Sequence, residues 1–169
     1  MLRQVVRRIE ATLKPDIRQN YQAVVVAGMK LMWGPEFEED RQQVLSLINS
    51  PQDIPRVIAH VVAKVVSIVQ NESKKNEPFP AAVPAGITLM CHALEFVEAA
   101  KKIDVDQNIL SQTTMMVKDG IFGIYKITPE LLQQYAAQQK GQPSLRVLPG
   151  GKIDQPPPQP DSTLQQGAA

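Results

Sequence analysis

At Gly141 the supply of apolar residues that sustains the earlier part of this chain nearly stops. Residues 1 to about 140 carry one helical apolar pattern after another, whereas the remainder runs through Pro149-Gly150-Gly151 into Gln-Pro-Pro-Pro-Gln-Pro at 155–160. A segment of that composition buries too little apolar surface to offset its own ordering entropy, so it builds no core. The expected layout is a helical body over 1–140 and an extended Pro/Gln-rich arm over 141–169. That is the form of a protein that docks into something larger.

The body is long enough to fold alone, since roughly 140 residues bury about two thirds of their unfolded surface. Only eight residues are Phe, Tyr or Trp, so the core has to be aliphatic. Leu2, Val5, Val6, Ile9 and Leu13 form a first stripe, which Lys14-Pro15 breaks or kinks. Ile17, Tyr21, Val24, Val25, Gly28, Leu31 and Met32 form a second, stopped by Trp33-Gly34-Pro35. A short helix fronted by Glu36, Glu38, Glu39 and Asp40 follows, with Phe37, Val44, Leu45 and Ile48 as its buried face.

Asp53 is placed to cap the next helix, which has the clearest pattern in the chain: Ile54, Val57, Ile58, Val61, Val62, Val65, Val66, Ile68 and Val69. β-Branched content alone suggests a strand. The i, i+3, i+4, i+7 spacing over about fifteen residues decides for helix. A nearly all-apolar helix is expected from near Pro84, with Thr88, His92, Glu95 and Lys102 as a narrow polar strip. Asp104 or Asp106 caps a further helix with Ile109, Leu110, Thr113, Met116, Val117, Gly120, Ile121 and Ile124 inward. Thr128-Pro129 opens a last one. The expected fold class is all-α, an irregular bundle of about six helices.

Catalytic and metal-binding motifs are lacking. One cysteine, Cys91, permits no internal disulfide, and with two histidines any metal site would depend on carboxylates. Cys91 and His92 are neighbours on a helix and diverge by about a hundred degrees, so they do not form a nucleophile–base pair. The 36–40 acidic run lacks the alternating oxygen ligands and turn glycine of a calcium loop. Gly150-Gly151-Lys152 lacks the spacing of a phosphate loop. No enzyme, cofactor or metal is expected. The longest candidate for a membrane span, 54–69, is interrupted by Arg56, His60 and Lys64, and no run approaches the ~20 apolar residues required. Without a signal peptide pattern, a cytoplasmic location is expected until assembly.

Two features remain for partners. Arg3, Arg7, Arg8, Lys14 and Arg18 oppose only Glu10 and Asp16 in the first eighteen residues, although net charge is only +1. They either pair with the acidic 36–40 segment of the same or a neighbouring chain, or meet phosphates, lipid headgroups or an acidic partner. The arm contains six of the fourteen prolines and one apolar island, in which Leu145, Val147 and Leu148 are the expected anchors. Close helix contacts are expected at Leu89, Phe96, Gly120 and Gly123, because a helical glycine costs roughly 1 kcal/mol and is tolerated where another backbone comes near.

The segment Val83–Glu98, the helix after it at Asp106–Ile127 and the Pro/Gln-rich end together resemble small all-helical virion proteins of tailed bacteriophages. The resemblance implies a structural part of a particle at the head–tail junction, in the tail, or among internal proteins ejected with the genome. Its partners would be copies of itself and other particle proteins, and its location the virion. The second reading is a bacterial regulator or adaptor that uses the N-terminal arginines on an acidic partner or nucleic acid.

Overall fold

The computed structural model describes residues 1–73 and 79–133; the expected boundary at 140/141 and the anchors Leu145, Val147 and Leu148 lie outside these. The fold is all-α, as the spacing predicts. Met1–Pro129 forms one compact unit and Glu130 opens a second. Six α-helices make up the first: α1 Leu2–Thr12, α2 Pro15–Trp33, α3 Glu38–Leu47, α4 Ile54–Glu72, α5 Phe79–Lys101 and α6 Gln107–Ile124. Single 3₁₀ turns, Pro35–Phe37 and Pro51–Asp53, precede α3 and α4. Helix resumes over 129–133, where Thr128-Pro129 signals a start.

The boundaries follow from backbone chemistry. Pro15 breaks the chain rather than kinking it: Leu13 and Lys14 are extended, and Pro15 is the first residue of α2. There its missing donor costs nothing. Asp106 caps α6 by accepting from the Ile109 amide at 2.8 Å. At the other end of α6, Lys126 takes a left-handed conformation (φ 52°). The Ile127 amide then donates to the Phe122 carbonyl at 2.9 Å and that of Lys126 to Gly123 at 3.2 Å. This closes the helix in the manner usually assigned to glycine.

Asp53 has a different role from the one expected. Its carboxylate accepts from the Ser50 amide and hydroxyl, both at 3.0 Å, and from the Asn49 amide at 3.2 Å. It therefore fastens the 3₁₀ turn before α4 instead of capping α4. The Ser50 hydroxyl, then the Asn49 amide, hold its carboxyl below the usual range.

α5 lies at the middle of the bundle, packing on α1, α2, α4 and α6, while α4 also packs on α6 and α2. Nine residues of α4 are buried. A fully buried Val or Ile contributes about 1.5–3 kcal/mol, against a helix-propensity penalty of at most about 0.7, so burial overrides β-branching. A smaller cluster around Tyr21, Val24, Val69, Ala81 and Ala85 extends this core at the start of α5.

α5 begins five residues earlier than the sequence suggests and keeps Pro84 inside it. A mid-helix proline costs about 3 kcal/mol. Here it falls near the start and leaves only the Pro80 carbonyl without its usual donor. Ala81, Ala82 and Ala85 around it are fully buried. Phe79 anchors the start, with ring centroids 5.5 Å from Phe122 and 5.6 Å from Tyr125. With this extension, α5 rather than 54–69 is the described helix long and apolar enough to cross a membrane by length and composition, and most of it is buried in the body.

Three faces also differ from expectation. Thr88 lies not on a polar strip but inside, where its hydroxyl and that of Tyr21 are 2.9 Å apart. Met116 is 45% exposed, because α6 turns the stripe through Ile109, Thr113, Val117 and Ile121 inward and leaves Met116 beside it. None of the ten residues of α3 is buried; of the face expected to be, only Ile48, just past its end, is.

Candidate functional site

α3 buries its apolar side only in part: Val44 and Leu45 pack against the core, while Leu47 stands exposed at the rim of a groove. The groove has a volume of about 550 Å³. Its floor is the valine face of α4, including Val57, Val61 and Val65. The end of α2 and Phe96 of α5 make one wall, and Phe37, Val44 and Leu47 the other. Leu47 is 53% exposed and Trp33 36%. The hollow is mostly apolar, with these two partly exposed side chains at its lip.

Arg41 holds the wall together. Its guanidinium donates to the Met32 carbonyl at 2.9 Å and to the Gly34 carbonyl at 3.0 Å, and pairs with Glu38. It also lies 5.9 Å from the centre of the Trp33 ring, close enough for a cation–π attraction. Trp33 in turn meets Phe96 edge to face at 5.0 Å. The signal for Arg41 is indirect. Trp33-Gly34-Pro35 ends α2 abruptly and leaves carbonyls that need a donor, and Arg41 is the first cation after it.

Charges line the rim. Arg56, His60 and Lys64 follow one another at i, i+4, i+8 along exposed positions of α4. Lys64 reaches Asp40 of α3 at 3.5 Å. Arg56 acts electrostatically on the Asp53 carboxylate, and His60 makes no ion pair among the described residues.

The residues singled out from sequence are dispersed. Leu89 is fully buried against α2, where a Cβ on Gly28 would come within 2.5 Å of its Cδ1. Phe96 belongs to the groove. Gly120 is a close approach, with Ala63 of α4 at 3.1 Å from a Cβ built there, whereas Gly123 faces open space. Arg3, Arg7 and Arg8 are exposed on α1. Arg3 pairs with Glu95 at 3.3 Å, so within one chain the α1 arginines do not pair with the 36–40 segment. Of those carboxylates Glu38 meets Arg41 of its own helix, and Asp40 meets Lys64 because α3 packs beside α4.

Glu95 also faces His92 at 3.5 Å. Next to them Cys91 is 1% exposed, and burial first, then Glu95, pushes its thiol up to about 11. A thiol so placed supplies almost no thiolate at neutral pH. No cluster of His, Cys, Asp and Glu able to hold a metal occurs among the described residues. The chain matches no protein-family model, no curated protein and no solved structure.

Proposed function

We propose that this is a non-enzymatic assembly protein, repeated within a larger complex and packed through helix faces. The phage-like style of the sequence makes a bacteriophage particle its setting, at the head–tail junction, in the tail or among the ejected internal proteins. The observation that carries the proposal is α3: a helix with no buried residue, whose apolar side and the neighbouring Trp33 line an open groove. The apolar faces of α5 are spent largely inside one chain, so contacts between copies would use another surface. In this reading the arm crosses onto a neighbour through Leu145, Val147 and Leu148.

Light scattering after size exclusion, over a range of protein and salt concentrations, tests it. A discrete oligomer that persists at high salt is expected. A monomer under every condition would remove the proposal. Removing 141–169 is expected to leave helical content and melting nearly unchanged and to weaken assembly.

The exposed guanidinium groups of Arg7 and Arg8, without ion partners among the described residues, favour one other reading: an adaptor or regulator that binds an acidic partner or nucleic acid. It requires an affinity for duplex DNA or RNA that falls steeply as salt rises and drops on Arg7→Ala/Arg8→Ala substitution.

A further inference from the structure

The groove beside α3 is aromatic and rich in unused donors. Trp33, Phe37 and Phe96 line it, three of the eight aromatic residues in the chain. Its polar lining consists of Arg41, Gln43, Arg56, His60 and Lys64, with Asp40 as the one carboxylate among the lining residues. Some of these groups are engaged already. Lys64 reaches Asp40, Arg41 serves the end of α2 and Glu38, and Arg56 has the Asp53 carboxylate beside it. The indole N–H of Trp33, the side-chain amide of Gln43, the guanidinium of Arg56 and the imidazole of His60 make no hydrogen bond among the described residues. An occupant that fits has flat apolar surface, more acceptors than donors, and no cation to set against the rim.

One segment of this chain has that chemistry. Gln155-Pro156-Pro157-Pro158-Gln159-Pro160 holds four prolines in six residues, each with a carbonyl and no amide hydrogen. Proline also fixes φ near the polyproline II value, a conformation whose carbonyls have no internal partners. Proline-rich sequences of this kind dock in aromatic-lined grooves at little cost in ordering. Asp154 and Asp161 flank the run and suit a rim that is mostly basic. The apolar island is the poorer match, because it brings Arg146 to that same rim.

We infer that the α3–α4 groove receives residues 155–160 of another copy, with prolines on Trp33 and Phe37 and their carbonyls accepting from the Trp33 indole and the Gln43 amide. The inference rests on the reading of the protein as self-assembling through its arm, and it names the segment and the surface that meet. Leu145, Val147 and Leu148 are then anchors outside the groove.

The test uses the full-length chain in an arm-silent form, Pro157→Ala/Pro158→Ala/Pro160→Ala, which leaves residues 1–133 unaltered. A synthetic peptide of residues 153–162 is titrated into it. The emission of Trp33, the single tryptophan, is expected to shift to the blue and to saturate. Adding Gln43→Glu, at an exposed position, or Phe37→Ala is expected to weaken the peptide about fivefold or more. Circular dichroism checks each fold, and Gln43→Glu carries the result if Phe37→Ala loosens α3. In sedimentation the arm-silent chain and a Gln43→Glu chain with its natural arm are each expected to associate less than the parent. Mixing them restores a one-to-one pair, because the groove of the first receives the arm of the second. A Trp33 emission that does not respond, or equal affinity for both groove variants, overturns the groove as receptor. A stronger response to a peptide of residues 143–149 overturns the choice of segment. An arm-silent chain that associates like the parent, or a mixture that is not restored, overturns the exchange and leaves self-assembly standing. A parent chain that is monomeric throughout overturns both.

Discussion

The hydroxyls of Tyr21 on α2 and Thr88 on α5 meet at 2.9 Å in the interior, each residue no more than 3% exposed. They satisfy each other where water does not reach. Tyr21→Phe or Thr88→Val alone is expected to destabilise by about 1–3 kcal/mol, since each strands a buried hydroxyl. The double substitution is expected to cost less than the sum. A denaturant double-mutant cycle measures the difference, and additive losses would mean that the two groups do not interact.

Two glycines are expected to respond in opposite directions to alanine. At Gly28 a Cβ would lie 2.5–3.3 Å from three atoms of fully buried Leu89, so Gly28→Ala is expected to cost about 1–3 kcal/mol through overpacking. At Gly123 a Cβ meets nothing within 4 Å. Gly123→Ala is expected to stabilise by about 0.5–1 kcal/mol through helix propensity. Thermal melts of the two variants check both signs.

Burial makes Cys91 hold its proton more tightly in the folded chain than in the unfolded one, the thiol moving from 9.0 to about 11. Desolvation raises Tyr21 likewise above its usual value of 10.0. A raised folded pKa gives a contribution that is fully present below the unfolded value and is lost as pH rises through the folded one. Stability is therefore expected to decline from about pH 9 upward, with Cys91→Ala removing the part between 9 and about 11. Native Cys91 is also expected to react with a disulfide reagent at pH 8 far more slowly than the same thiol in urea.

Arg41→Lys is expected to behave like a loss, not a conservative change. An ammonium lacks the fork that reaches two carbonyls and Glu38 together, and the Arg41 side chain is only 18% exposed. A cost of about 1–3 kcal/mol should appear in the melt. Fluorescence of Trp33, the single tryptophan, is expected to shift to the red as its cover loosens.

Leu47→Asn separates folding from assembly. Leu47 is 53% exposed, so stability of the isolated chain is expected to move by no more than about 0.5 kcal/mol. Solution mass is expected to fall. An unchanged mass would place the contact between copies elsewhere.

Much of the fold was legible because spacing carries it. The valine helix, the breaks at Pro15 and Trp33-Gly34-Pro35, and a cap at Asp104 or Asp106 are all local signals, and the structure shows the helix, the breaks and, of the two caps, Asp106. What was hidden depends on distant partners. Pro84 reads as a helix start until Ala81, Ala82 and Ala85 are seen packed in the interior. Thr88 reads as polar surface until Tyr21 is found opposite it. The groove is hidden for the same reason. Val57 and Val61 look like any core stripe, and nothing local says that Val57 is buried while Val61 is only partly covered. Phe96 alone of the contacts expected from sequence belongs to it.

A helix with no side chain fully sealed from water is held by partial contacts and by its ends, and in α3 Val44 and Leu45 supply the partial contacts with the core. α3 is tethered by Arg41 at its start and by Ile48, 1% exposed, just past its finish. Local opening of 35–47 therefore costs much less than opening α4, α5 or α6, and its amide hydrogens should exchange with solvent first. The wall of the groove is thus less expensive to move than the helices beneath it, and the groove can adjust its width without unsettling the core.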